Sequence, residues 1–361
     1  MQKKIKMIFT GGGSSGHVTP SLPLISALQN ENVVIFYVGS KKGIEHSLIK
    51  RLNIPYYGIT VGKLHRYWTC KNLLTPFQLF LGIIQSFLIC RRIKPDVIFS
   101  KGGFVALPVV IAAKLNGIPA VIHESDLTPG LANRLSFPFA KLICLTFSET
   151  VRYFKNSSKV LLTGMPIRSF LLDGDPEKGL KICGFFDKKK PVLLIMAGGL
   201  GSRDINKSIR CLIVPLTEKF QVIHICGKNK LDPAFSEIKD YKQFEYLQNE
   251  LADVLASADL VISRAGATSI YELLTLHKPH ILLPLSKKAS RGDQIVNAKY
   301  FSRRGLSKVI YSEEFSDEKL LETVLKSFET LEQIKDQLKK FEHPDSAQKI
   351  IDKLIYFSRK R

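Results

Sequence analysis

Four groups of residues could do chemistry by their type and spacing. The first is Gly11-Gly12-Gly13-Ser14-Ser15-Gly16-His17. As a string, Gly11-x-Gly13-x-x-Gly16 matches the turn in which glycines let backbone N–H groups approach an anion at a helix N-terminus. His17 follows directly, and an imidazole near neutral pKa can accept a proton from a sugar hydroxyl. A lone histidine is more often structural, and a tight turn with no ligand is the plain alternative for the glycines. A dinucleotide site also needs Asp or Glu near the end of the next strand to hold the ribose diol. That stretch reads Val38-Gly39-Ser40-Lys41-Lys42, which disfavours NAD and leaves NADP open.

The second group is Ser263-Arg264-Ala265-Gly266-Ala267-Thr268-Ser269-Ile270-Tyr271-Glu272. A buried strand ends in Ser-Arg, and small residues then open a helix whose amides are accessible to phosphate. Glu272, one turn in, can accept two hydrogen bonds from a ribose diol. The competing reading is a capping box, Ser269 with Glu272 three residues on. The third group, Arg291-Gly292-Asp293-Gln294 with Asn297, offers amide side chains for sugar hydroxyls or simply a solvated helix start. The fourth, Asp173-Gly174-Asp175, resembles a metal-holding DxD but precedes Pro176 and reads as a turn. His123-Glu124 lacks a second histidine four residues on, and His277 and His280 straddle Pro279. No metal site is expected.

These groups sit in a repeating strand–turn–helix pattern. Strands are expected at Ile5–Thr10, Val33–Val38, Val97–Ser100, Ala120–His123, Leu142–Phe147 and Val160–Thr163. A second set follows at Val192–Met196, Gln221–Cys226, Leu260–Ser263 and His280–Pro284. Amphipathic stretches between them predict an α/β fold with helices covering parallel sheets. The arrangement repeats once: Ile8-Phe9-Thr10 runs into Gly11-Gly12-Gly13, and Ile195-Met196-Ala197 into Gly198-Gly199. Two Rossmann-like halves follow, hinged near residues 163–190, with residues 317–361 helical.

At 361 residues and 45% hydrophobic, the chain supports about two domains with real cores. That composition excludes collagen, disorder and small disulfide-stapled scaffolds. Six cysteines with no CxxC pair read as free thiols in a reducing, cytoplasmic setting. The net charge is +21, of which residues 1–160 carry +14. Such an excess implies an anionic partner: nucleic acid, acidic lipid or a phosphorylated substrate. No nucleic-acid motif is apparent. Phe77–Cys90 is apolar over most of its circumference, with Lys63, Arg66, Lys71, Arg91, Arg92, Lys94, Tyr67 and Trp68 around it. At 14 residues it is too short to span a membrane. A helix lying in the interface of an acidic bilayer and a core helix are the two readings, and the charge favours the membrane.

Taken in order, the motifs resemble those of the MurG family of peptidoglycan N-acetylglucosaminyltransferases. The likeness rests on Gly12–Pro20, Lys94-Pro95-Asp96-Val97, Gly102-Gly103-Phe104, His123-Glu124, Gly130-Leu131-Ala132-Asn133 and Gly164-Met165-Pro166-Ile167-Arg168. It continues through Ala197–Arg203, Ser263–Glu272 and Asp293-Gln294-x-x-Asn297-Ala298, covering residues 5–305. The resemblance implies a GT-B architecture: two Rossmann-like, doubly wound parallel-sheet domains facing a central cleft. Residues 1–163 would bind acceptor and membrane, residues 164–340 the UDP-sugar, and a helix in 341–361 would pack back on the first domain.

It also implies transfer of N-acetylglucosamine from UDP-N-acetylglucosamine to the 4-hydroxyl of undecaprenyl-diphosphoryl-N-acetylmuramoyl-pentapeptide, with inversion and without a chelated metal. The setting implied is peripheral, at the cytoplasmic face of the plasma membrane. His17 would be the base. Ser14, Ser15, Gly16, Arg168, Gly199, Ala267, Thr268, Ser269, Glu272 and Gln294 would serve the donor, and His123, Glu124 and Asn133 the acceptor. Ser15 stands where the family has glycine, Ser125-Asp126 replace Gln-Asn, and Gly199 replaces a serine, removing one hydroxyl from the second loop. Another glycolipid acceptor, or an NADP oxidoreductase, are the alternatives.

Overall fold

The computed structural model describes residues 4–29, 31–62, 71–154, 157–186, 190–198 and 201–360. They form two compact units, residues 1–167 with 343–361, and residues 168–342. The first holds strands β1 (Ile5–Thr10), β2 (Val33–Ser40), β3 (Tyr56–Ile59), β4 (Val97–Ser100), β5 (Ala120–Glu124), β6 (Leu142–Leu145) and β7 (Val160–Leu162). Its helices are α1 (Leu22–Leu28), α2 (Ile44–Lys50), α3 (Lys71–Ile93), α4 (Ala106–Leu115) and α5 (Leu131–Ser136). The strands pair in parallel in the order β3-β2-β1-β4-β5-β6-β7.

The second unit follows the same plan. It has α6 (Pro176–Ile182), β8 (Val192–Met196), α7 (Arg203–Cys211), α8 (Ile213–Lys219), β9 (Gln221–Ile225), β10 (Tyr241–Phe244) and α9 (Glu250–Ser257). Then come β11 (Leu260–Ser263), α10 (Ala267–Thr275), β12 (His280–Leu282), α11 (Asp293–Ser302), β13 (Lys308–Val309), α12 (Asp317–Glu329) and α13 (Leu331–Leu338). Its parallel sheet runs β10-β9-β8-β11-β12-β13. The last helix, α14 (Ser346–Arg359), belongs to the first unit.

Both sheets are covered on two faces, so their central strands are nearly all apolar. Side chains alternate across the pleat. In the first unit Phe9, Tyr37 and Phe99 pack with Ile350, Ile351 and Leu354 of α14 on one face. Ile8, Ile98 and Ile122 pack under α3 and α4 on the other. In the second, Leu193, Ile195 and Ile262 meet α7, α8 and α12, while Leu194, Ile223 and Val261 meet α9. Each such side chain contributes roughly 1.5–3 kcal/mol by leaving water.

Three strands, β3, β10 and β13, are absent from the sequence expectation, and all three are sheet edges. Their burial is partial and broken by exposed residues such as Gly58, Lys242 and Lys308. Unlike β7, an edge whose Val160-Leu161-Leu162 is apolar throughout, these three lack the unbroken apolar run that marks a central strand.

Helix α3 is longer than the 14 residues expected, with 23 residues and Pro76 inside. Its buried positions are Thr75, Gly82, Ser86, Cys90 and Ile93, mostly small. A Cβ on Gly82 would lie 2.6 Å from Thr60 O and 3.3 Å from Pro108, so glycine permits α3 to press against the unit. The large apolar residues face outward instead: Leu73, Phe77, Phe80 and Leu88 are each at least 60% exposed. By length and composition the stretch Leu73–Ile93 could cross a membrane. Lys63, Arg66, Tyr67, Trp68 and the Lys71 side chain lie outside the described residues.

Candidate active site

In each unit strand order reverses beside the first strand, between β1 and β4 and between β8 and β11. The crevice beyond the strands' carboxyl ends at that point is where open α/β sheets bind ligands. Both glycine loops and both neighbouring strand ends fall there.

In the first unit the loop after β1 is locked by its own chain. Gly12 N donates to Gly102 O at 3.4 Å, and any Cβ on Gly103 would collide with Gly12 O. Tyr37 Oη donates to Gly11 O at 2.9 Å. The residue that decides the loop's chemistry is Glu45, on α2 and fully buried. Its carboxylate accepts from Gly13 N at 3.2 Å, Ser40 N at 3.0 Å and Ser40 Oγ at 2.5 Å. Cβ atoms on Gly12 or Gly43 would strike it. The expectation that this loop offers its amides to an external anion is therefore corrected at Gly13, where Glu45 already supplies the acceptor. Sequence reading missed Glu45 because the acid was sought at the end of β2, and it lies five residues past Ser40.

His17 ends a short 3-10 turn, Ser15–His17, and is partly exposed. Ser14 and Gly16 beside it are exposed; the Ser15 side chain is outside the described residues. Beneath lies a second missed residue, Lys101, directly after β4 and 1% exposed. Its Nζ donates to Ser125 Oγ. Burial lowers its pKa to about 8, against the pull of Glu124 and Asp126.

Glu124, 2% exposed, accepts from Asp126 N at 3.0 Å, Gly130 N at 3.0 Å and Asn133 Nδ2 at 2.9 Å. Burial raises its pKa first, and Asp126 adds to that. His123 lies inside the sheet, with Nε2 donating to Gly164 O at 2.9 Å. Burial and then Lys101 hold its pKa well below the usual value, so it is neutral. Direct acceptor contact by His123 is thus corrected: a ring with 0% exposure braces the strand ends. Glu124 and Asn133 are likewise turned inward and shape the 125–133 loop.

In the second unit the loop after β8 reaches Gly198, at φ +81°; Gly199 lies outside the described residues. Gly201, at φ +61°, abuts Cys226 O and has no room for a side chain. Ser202 Oγ caps α7, accepting from Ile205 N at 3.5 Å. It also accepts from Arg264 Nη2 at 2.6 Å, while Arg264 Nη1 donates to Leu283 O at 2.9 Å. One arginine, directly after β11, thus ties the N-cap of α7 to the end of β12.

Gly266 is the N-cap of α10 and brings no side-chain acceptor. The capping-box reading of Ser269 and Glu272 is corrected, because Ser269 is already the third residue inside the helix. The first turn of α10, Ala267 to Ser269, thus starts without a capping side chain from its N-cap residue. Glu272, 4% exposed, is held by Arg168 in a two-pronged pair: Nε to Oε1 at 2.7 Å and Nη2 to Oε2 at 2.9 Å. Burial opposes the Arg168 charge, but Glu272 outweighs it and raises its pKa. Gln294 Oε1 accepts from Leu285 N at 3.1 Å, fixing the loop before α11. Asp175 of the DxD string caps α6, accepting from Glu177 N at 2.9 Å and Lys178 N at 3.2 Å.

Comparison with known proteins agrees with this layout. Residues 7–144 match the glycosyltransferase family 28 N-terminal domain, and residues 192–353 its C-terminal domain. The chain is 51% identical over 345 residues (96% of this chain, 95% of the relative) to the UDP-N-acetylglucosamine–N-acetylmuramyl-(pentapeptide) pyrophosphoryl-undecaprenol N-acetylglucosamine transferase of Legionella pneumophila strain Paris. It is 49% identical over 350 residues (97% and 98%) to the enzyme of that name from Clostridium perfringens strain SM101. Among solved structures, MurG of Acinetobacter baumannii superposes with a TM-score of 0.74 at 23% identity, covering 98% of this chain and all of that one. A UDP-GlcNAc 2-epimerase from Neisseria meningitidis shares the fold at a TM-score of 0.65 and 16% identity, covering 98% and 100%. Identity near one half over almost the whole chain, together with both family 28 domains, shows that the chain belongs to the MurG family of glycosyltransferases.

Proposed function

We propose that this protein transfers N-acetylglucosamine from UDP-N-acetylglucosamine to the 4-hydroxyl of undecaprenyl-diphosphoryl-N-acetylmuramoyl-pentapeptide, with the donor held by the second unit and the acceptor by the first. The observation that carries the donor half is the β11–α10 corner. There a glycine-capped helix start, Ala267, Thr268 and Ser269, stands one turn ahead of the buried Glu272 carboxylate. The helix start stabilises the diphosphate, and later the departing UDP, with amides and the positive end of the helix dipole. A carboxylate has about four lone-pair positions. Arg168 takes two of Glu272's, leaving the others for the ribose hydroxyls. Arg168 acts through Glu272, holding its carboxylate in one orientation, and Gln294 meets the sugar.

On the acceptor side the 4-hydroxyl attacks the anomeric carbon as the bond from that carbon to the diphosphate oxygen breaks. UDP leaves with the electron pair, the configuration inverts, and the hydroxyl proton passes to His17. Lys101, Glu124 and Asn133 hold the strand-end loops on which His17 and the acceptor rest. Radiolabelled UDP-N-acetylglucosamine and a short-chain lipid acceptor test this reading. Labelled disaccharide lipid is expected, and a well-folded protein giving none would reject it. In the same assay His17→Ala should lower kcat with little change in the donor KM.

The outward apolar face of α3, with exposed Arg91, Arg92 and Lys94 at its end, supports peripheral attachment to the anionic cytoplasmic surface of the plasma membrane. Each basic residue near such a surface adds about 1 kcal/mol. Binding of F77E/F80E to anionic vesicles should fall by about tenfold or more. Turnover of a soluble short-chain acceptor should hold, because both positions are exposed. Unchanged vesicle binding would remove α3 from the reading.

A further inference from the structure

The sheet edge of the second unit holds another concavity that the transfer reaction does not use. In this unit the donor residues of the proposed reaction, Ala267, Thr268, Ser269, Glu272 and Gln294, lie on the β11–β12 side of β8, with Arg168 paired to Glu272. On the opposite flank of β8, α7 faces the loop that follows β9 across a cavity of about 780 Å³. That size suits a small-molecule ligand. Arg203, Lys207 and Arg210 project from one face of α7, at the i, i+4, i+7 spacing, and Lys228 and Lys230 close in from the loop. Asp232 is the sole carboxylate in the lining.

The five cations are not equivalent. Arg210 is committed to the wall: its Nη2 donates to Lys230 O at 2.6 Å and Gln243 Oε1 at 3.0 Å. It also lies 3.8 Å from Asp232 and 5.7 Å over the Phe235 ring. Arg203, Lys207 and Lys228, by contrast, have no carboxylate partner among the described residues. Like charges converging from two elements onto one hollow repel each other unless an anion sits between them. A merely solubilising surface would space them apart. Phe235 and the half-exposed Leu231 give the same hollow an apolar end.

We infer that α7 and the 228–235 loop form a second anion site, for a nucleoside phosphate whose phosphates lie among Arg203, Lys207 and Lys228 and whose base lies against Phe235 and Leu231. The inference does not rest on the donor reading, since it shares no residue with it.

Cys211, exposed and part of the same lining, gives the site an address. The full chain is labelled with a maleimide and the Cys211 peptide quantified by mass spectrometry, with ATP, inorganic pyrophosphate or phosphatidylglycerol vesicles present. ATP should slow Cys211 labelling at least roughly threefold at millimolar concentration, and pyrophosphate more weakly. K207E/K228E should abolish that protection and leave the KM for UDP-N-acetylglucosamine within about twofold; both lysines are exposed, so folding is unaffected. Glu272→Ala should do the reverse, weakening donor use while Cys211 stays protected. The proposal is overturned if ATP protects no better than sulfate at matched ionic strength, if vesicles alone protect, or if Glu272→Ala removes the protection.

Discussion

Each unit sets a buried carboxylate beside a corner where a strand runs into glycine, Glu45 at the turn after β1 and Glu272 at the turn from β11 into α10. The two are used to opposite ends. In the first, Glu45 turns inward and spends its oxygens on Gly13 N, Ser40 N and Ser40 Oγ. In the second, Glu272 takes a guanidinium from Arg168 on two oxygens, and the α10 helix start beside it has no side-chain cap. A glycine string is thus a statement about space, and only the neighbouring charge says what fills it. One corner is a brace for its own backbone; the other begins its helix on a glycine that brings no cap.

The sharpest way to break that comparison is to remove each carboxylate. Glu45→Ala removes a fully buried carboxylate from three part-buried donors and should cost about 2–4 kcal/mol in urea unfolding. Glu45→Gln, which keeps the shape and one acceptor oxygen, should recover part of the loss. Should Glu45→Ala unfold like the wild type, the brace reading is wrong.

Buried titratable groups come next: both units hold buried neutral histidines, and the first also buries a lysine. Lys101 is held near pKa 8 in the folded first unit against 10.5 in the unfolded chain. The unfolded state therefore binds more protons between those values. Lys101's share of stability is complete above pH 10.5 and lost as pH falls to about 8, an amplitude of up to about 3 kcal/mol. The wild-type-minus-Lys101→Met difference in unfolding free energy should rise across that window, and a flat difference would show Lys101 to be solvated. In the second unit His280 and His224 are buried neutral, at about 4 and about 3. Folding stability should fall as pH drops from about 6.5 toward 4, because the unfolded chain then takes up protons that these rings refuse. His280→Gln should flatten part of that slope in a thermal-unfolding series.

Smaller in energy but more specific is the donor corner. Glu272→Ala should raise the KM for UDP-N-acetylglucosamine by about tenfold or more, some 1.4 kcal/mol. Arg168→Met should raise it less, with Arg168→Lys between that variant and wild type, because arginine acts by fixing the carboxylate. An unchanged KM in Glu272→Ala would make the Arg168 pair purely structural.

Much of this was legible in the linear order of residues. Central strands such as Val97–Ser100 and Leu260–Ser263 announce themselves, since burial on both faces demands an unbroken apolar run. The strand-end motifs at residues 11–17 and 263–272 were legible too, because a turn tight enough to expose backbone amides tolerates few residue types. The edge strands β3, β10 and β13 were not, as half-exposed segments carry no such constraint.

What only the tertiary structure decided is who faces whom. Arg168 and Glu272 are 104 residues apart in sequence and 2.7 Å apart in space. Glu45 reaches Gly13 from another helix, and His123, chemically able to meet a ligand, is sealed inside β5. The outward turn of α3 was equally hidden: its composition suits a core or a bilayer alike, and the small residues Gly82, Ser86 and Cys90 settle which face meets the protein. Residue type fixes what a group can do and local spacing fixes the element that carries it. Burial and charge pairing depend on contacts between distant segments, which no local pattern encodes.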